Sequence, residues 1–179
     1  MKILIVGSSG YLGGRIYEYF KNKYNIYKFN QKKKNYKVDI VIIVAGPNSR
    51  KCELQKKKNS IERVKINKNV LKKLNLEFLK KYIYISTIHV YKKNSKINEN
   101  SPLNLTNSYA KSHILAENFL KKSVDKKKIL ILRLANCFGR PANKKKSLWN
   151  LVINNICLNI HKKREIKINS NENFFRNFI

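Results

Sequence analysis

The chain has 179 residues, 42% of them apolar, and carries 40 Lys or Arg against 10 Asp or Glu. That apolar content supports one compact domain with a buried core and excludes an intrinsically disordered chain. The formal charge of +30 discriminates little, because 33 Lys, 25 Asn, 22 Ile and 10 Tyr make up about half of the sequence and share A/T-rich codons, so base composition alone generates the charge without a selected acidic partner.

From the amino terminus, Ile3–Val6 is an apolar run broken by Gly7, too short for the core of a signal peptide. A helical period follows at Leu12, Ile16, Tyr19 and Phe20. A weaker strand, Asn25–Phe29, ends at polar Asn30, and a stronger one spans Ile40–Val44. Ile61, Val64, Leu71, Leu74 and Phe78 predict one long helix leading to a third strong strand, Tyr82–Ile85. A helix over Tyr109–Lys122, a strand over Ile129–Leu132 and a last helix over Ser147–Ile160 complete the series. The four strong runs are continuously apolar, as strands buried on both faces are. Alternation of such strands with helices predicts an α/β fold, a doubly wound parallel sheet whose ligands sit at the carboxyl ends of the strands.

No window approaches the ~20 apolar residues of a membrane helix, so no membrane partner is expected. Cys52, Cys137 and Cys157 form no close pair, which predicts a reducing compartment and a cytoplasmic protein. His89, His113 and His161 show no ligand spacing, and no metal is assigned. Lysine triplets at 32–34, 56–58, 126–128 and 144–146 fall at predicted loops or helix ends, unaccompanied by aromatic RNA-binding or helix-turn-helix motifs, so no nucleic-acid partner is assigned.

Between the first strand and the first helix stands Gly7-Ser8-Ser9-Gly10-Tyr11-Leu12-Gly13. Glycines there let the backbone turn tightly and approach a pyrophosphate, whose charge is stabilised by free amides and the dipole at the helix start. An NAD site usually places an acid about 20 residues on, at the end of the second strand, to bind the ribose 2′-hydroxyl. Here Asn30 holds that place, followed by Lys32, Lys33 and Lys34. The expected cofactor is NAD or NADP, with NADP slightly favoured because a cation suits its 2′-phosphate.

Tyr84-Ile85-Ser86-Thr87-Ile88-His89-Val90-Tyr91 and Tyr109-Ala110-Lys111-Ser112-His113, together with the glycine turn, resemble the extended short-chain dehydrogenase/reductase family. Within it the chain is most similar to the NAD-dependent epimerase/dehydratase group that acts on nucleotide sugars. Asp39-Ile40-Val41 leading to Ala45-Gly46, Asn67, Arg133-Leu134-Ala135-Asn136-Cys137-Phe138-Gly139 and Arg176-Asn177-Phe178-Ile179 continue the match in order. The resemblance implies a Rossmann domain over residues 1–165 and a short start of the substrate segment over 166–179, most of the carboxyl-terminal substrate domain being missing. It places Gly7, Ser9, Gly10, Tyr11, Leu12, Gly13, Asn30, Ala45, Gly46, Asn67, Ser86 and His113 along the cofactor. Thr87 would hydrogen-bond the reacting sugar oxygen, and Tyr109 would exchange its proton while hydride passes to or from the nicotinamide. Family members commonly dimerise through the helices before the threonine strand and at the tyrosine, which implies a homodimer; Ile114, Leu115 and Phe119 are available for that contact or for packing inward.

Two departures bear on chemistry. The family pattern is Tyr-x-x-x-Lys, and His113 stands at the lysine's place. Lys111 is no substitute, since two residues turn a helix by roughly 200° whereas four return to the same face. A histidine, with an ordinary pKa of ~6.5, still donates a hydrogen bond but carries little charge at neutral pH. Dehydratases of the family follow the threonine with Asp-Glu, where Ile88 and His89 stand here, so epimerisation or keto-sugar reduction is expected in place of elimination. The competing reading is a member that binds cofactor without turnover.

Overall fold

The computed structural model describes residues 1–92, 96–142, 149, 151–162 and 165–166, the side chains of Lys57 and Asn59 excepted. The predicted helix at 147–160 is therefore described only in part, and the lysines at 144–146 and the Arg176–Ile179 stretch lie outside the described residues.

Strands β1 (Lys2–Val6), β2 (Asn25–Lys28), β3 (Ile40–Ile43), β4 (Lys81–Thr87) and β5 (Ile129–Leu134) form one parallel sheet in the order β2-β1-β3-β4-β5. In β1, β3 and β4 alternate residues enter two different cores, whereas β5, at the sheet edge, packs Ile129 and Ile131 on one core and leaves Leu130 and Leu132 exposed. Leu4, Val6, Val41, Ile43, Tyr82 and Tyr84 pack on one face, with Val70, Ala116 and Leu120 from the helices above. Ile3, Ile5 and Ile42 pack on the other, with Ile16 and Tyr17. Burial on both faces explains why no polar alternation marked β1, β3 and β4.

Helix α1 (Tyr11–Phe20) covers the second face. Helices α4 (Glu62–Leu71) and α5 (Ser108–Ser123) cover the first, joined by the short α2 (Ser49–Leu54) and α3 (Lys56–Ser60). Helix α6 (Val152–His161) follows β5. The single long helix expected through Phe78 stops at Leu71. The backbone beyond it is captured by Tyr36, whose N–H donates to Lys73 O (2.7 Å) and whose carbonyl accepts from Asn75 N (3.0 Å), and Asn75 Oδ1 turns the chain by accepting from Glu77 N. Of the residues offered for a subunit contact, Ile114 packs inward on Val90 and Tyr91, and Phe119 packs on the main core.

The strand order reverses between β1 and β3, since the chain leaves β1 for β2 on one side and returns to β3 on the other. Such a switch point opens a crevice at the carboxyl ends of the two strands, because the crossovers leaving them diverge to opposite faces. Gly7 follows β1 and Ala45 lies just beyond β3, so both glycine-containing turns meet at that crevice. No described helix is long and apolar enough to cross a membrane.

Candidate cofactor and active site

The turn after β1 depends on two glycines. Gly7 has φ +96°, and a Cβ there would lie 2.8 Å from Ala45 N. A Cβ at Gly13 would lie 2.2 Å from Gly7 O. Helix α1 thus sits directly against the strand end, with Gly10, which has no side chain to offer, as its cap and no side chain among the described residues satisfying its first amides. Those free donors at a dipole's positive end suit an anion. The turn is tied to the far side of the sheet through Tyr11, whose hydroxyl donates to Gly139 O (2.7 Å) and accepts from Asn154 Nδ2 (3.3 Å). Ser9 is exposed and Leu12 half-buried on the same turn.

A cleft of about 420 Å³ opens beside this turn, walled by Gly7, Phe29, Gln31 and Ala45 at the strand ends and by Glu62 and Lys65 on α4. Gln31 is held in place by Asn69 Nδ2, which donates to its side-chain oxygen (2.7 Å). Asn30 turns on itself, its Oδ1 accepting from Lys32 N (2.9 Å). Lys33 lies over the rings of Tyr27 and Tyr36, whereas Lys65 is the cation on the cleft wall. Asn67 faces the interior, donating to Arg63 O (2.7 Å) and accepting from the Tyr82 hydroxyl (2.8 Å).

The second half of the site lies at the end of β4. Thr87 closes the strand and caps the following turn, accepting from His89 N (3.3 Å). Asn107 caps α5 by accepting from Ala110 N (2.9 Å), which puts Tyr109 in the first turn of that helix. Its phenol lies near the Thr87 hydroxyl, and its ring stands edge-on to His113 at 4.8 Å between centroids. Burial pushes the Tyr109 phenol up, while the nearby Arg63 guanidinium and the Thr87 hydroxyl pull it down.

His113 is 2% exposed. Its Nδ1 lies 3.0 Å from the Tyr84 hydroxyl and 3.4 Å from Ser86 Oγ, and Ser86 in turn donates to Glu117, which Arg133 grips with Nε and Nη2. Burial first, and then the charges of Arg63 and His89, push the His113 imidazole down to about 2, so it is neutral. The Arg63 charge also pulls the Tyr84 phenol down, against the larger upward push of burial. A Tyr84 hydroxyl that donates to Nδ1 leaves the imidazole proton on Nε2. That Nε2 is buried without a hydrogen-bond partner among the described residues, a polar atom awaiting one.

The residues present fit a nicotinamide dinucleotide. The glycine turn and uncapped α1 offer a seat for the diphosphate, the cleft walled by Gln31 and Lys65 leads from it, and the idle His113 Nε2 offers a donor for a ribose hydroxyl. Sequence reasoning located Thr87, Ser86, Tyr109 and His113, and the fold brings these four together; it does not bring Asn67 to them. It missed Arg63, Tyr84 and Glu117. The available signal was α4's buried spacing of Arg63, Asn67 and Val70, a helical stripe hidden from a search for apolar residues alone.

An all-parallel doubly wound sheet with a glycine turn at its switch point defines a dinucleotide-binding type of α/β protein. The profile of the NAD dependent epimerase/dehydratase family matches residues 25–179, and the chain belongs to that family. The glycine turn precedes the matched stretch, and its place rests on the fold. No curated protein is detectably similar in sequence. Among solved structures, UDP-glucose 4-epimerase of Thermotoga maritima with UDP-glucose superposes with a TM-score of 0.80 at 16% identity, over 100% of this chain and 69% of that one. UDP-glucuronic acid 4-epimerase of Bacillus cereus, with UDP-glucuronic acid and NAD, gives 0.77 at 16% identity over 99% and 68%. dTDP-4-dehydrorhamnose reductase of Bacillus anthracis, with NADP, gives 0.69 at 22% identity over 92% and 60%. The chain thus spans between 60% and 69% of the length of these three.

Proposed function

We propose that this chain binds NAD or NADP and exchanges hydride with a nucleotide sugar, Tyr109 serving as acid/base, in an epimerisation or a keto-sugar reduction. The observation that carries the reading is the meeting of Thr87, Tyr109 and His113 at the end of β4, with only β3 between that strand and the one bearing the glycine turn. When bound, the nicotinamide supplies the hydride acceptor or donor. Thr87 orients the reacting hydroxyl, Tyr109 takes its proton as the carbon gives up hydride, and the reverse step returns both. His113 holds a ribose hydroxyl through Nε2–H, and burial excludes water from the exchange. Ile88 and His89 supply no carboxylate for elimination. Lys65 on the cleft wall supports the slight preference for NADP.

A second reading, cofactor binding without turnover, is favoured by the neutrality of His113, which brings no charge to help form a tyrosinate. The same experiment separates the two. Reduced-nicotinamide fluorescence responds to the wild type and not to Gly10→Val in either case. With oxidised or keto nucleotide sugars as substrates, the first reading expects hydride exchange that falls at least about 100-fold in Tyr109→Phe while the fluorescence response persists. Fluorescence without exchange establishes the second, and absence of any fluorescence response to folded wild type refutes both.

A further inference from the structure

Arg63 is 4% exposed, yet no carboxylate pairs with it among the described residues. Burying a guanidinium costs several kcal/mol unless an anion offsets it, and such positions are kept where the charge has a use. Among the described residues its hydrogen bonds all go to neutral oxygens. Nε donates to Ser112 Oγ (3.1 Å), Nη2 to Pro47 O (2.6 Å) and Nη1 to Ala45 O (3.4 Å). It fills the space beneath Gly46, where a Cβ would lie 1.9 Å from Nη1. Three elements therefore fix it: α4 carries it, the loop after β3 holds its Nη atoms, and α5 holds Nε. So fixed, its Cζ stands 5.3 Å from the centre of the Tyr109 ring.

Tyr109 is also faced by Cys52 on α2, Tyr84 on β4, His89 on the turn after Thr87, His113 on α5 and Cys137 beyond β5. With His113 neutral, Arg63 is the permanent positive charge in this set. The anion that would complete the pair is the tyrosinate itself, present only while the proton is away.

We propose that Arg63 supplies Tyr109 with the fixed positive charge that a lysine four residues after the tyrosine would otherwise provide, delivered from α4 and anchored by Ser112. It is a positioning residue acting through the phenol, and the assignment rests on the acid/base reading of Tyr109. The charge reaches the phenol from the side of the β3 loop, leaving the His113 side free for neutral hydrogen bonding. A cation within ~4–6 Å lowers a neighbouring acid by roughly 1–3 pKa units.

The test replaces the tyrosines with difluorotyrosine, whose phenol ionises in an accessible pH range, and follows position 109 by fluorine NMR, assigned with Tyr109→Phe. Arg63→Gln raises the phenol's pKa by at least about one unit, Arg63→Lys restores most of the difference, and the pH profile of hydride exchange moves with it. Should Arg63→Gln fail to fold, Ser112→Asp leaves the guanidinium in place, pairs it with a carboxylate, and produces the same upward shift. An unchanged phenol pKa in the folded neutralised variant overturns the assignment and leaves the role of Tyr109 standing. Undiminished hydride exchange in Tyr109→Phe removes that role, and this assignment with it.

Discussion

His113 makes a quantitative claim on the pH dependence of stability. In the fold its imidazole is pushed down to about 2, by burial first and by Arg63 and His89 next, whereas in the unfolded chain it titrates near ~6.5. Below that value the unfolded state binds a proton that the folded state refuses, so stability is full above about pH 6.5 and falls as pH drops, by about 1.4 kcal/mol per unit. Between pH 7 and pH 5 the loss amounts to about 2 kcal/mol. Urea denaturation of the wild type and of His113→Asn at matched pH isolates the effect, since every other titrating group contributes equally to both and cancels in the difference. The expected result is a gap between the two curves that changes by about 2 kcal/mol over that interval, with the wild type the more acid-sensitive. Curves that run parallel would show His113 protonated inside the fold, and the neutral Nε2–H donor assigned to the cofactor ribose would be refuted.

Further outcomes follow from the same contacts. Gly13→Ala forces a Cβ to within 2.2 Å of Gly7 O, and since the Cβ is fixed to the helix and the atom it meets is backbone, denaturation should show a loss of roughly 1–3 kcal/mol together with loss of the reduced-nicotinamide fluorescence response. Glu117→Ala leaves Arg133 without its carboxylate and Ser86 without its acceptor; thermal or urea denaturation should report roughly 2–3 kcal/mol, below the cost of a fully buried pair because Arg133 keeps some solvent access. Lys65→Gln removes the cation from the cleft wall and should weaken NADPH about fivefold more than NADH, the effect of about 1 kcal/mol from one exposed charge pair. Equal weakening of the two would place the 2′-phosphate elsewhere.

The local signals in the chain were enough for the architecture. Ile3–Val6, Ile40–Val44 and Tyr82–Ile85 became strands buried on both faces, as continuous apolar runs between turns are, Ile129–Leu132 became the edge strand with Leu130 and Leu132 exposed, and alternation with helices left a parallel doubly wound arrangement as the economical solution. The glycine turn was equally legible, since its spacing records a backbone requirement. Spacing on one helix also put Tyr109 and His113 on a common face. What the chain could not declare by itself was the electrostatic state of that face. The neutrality of His113 comes from the burial of α5's inner face and from an arginine on another helix. Arg63 became visible only when α4 and α5 packed on the same sheet face, because a polar side chain in a helical stripe reads as solvent-facing until its neighbours are known. The helix expected through Phe78 failed for the same reason, as Tyr36, 37 residues before Lys73, claimed the backbone groups that would have continued it. Periodicity reports which atoms must leave water; only the tertiary packing decides which charges they meet when they do.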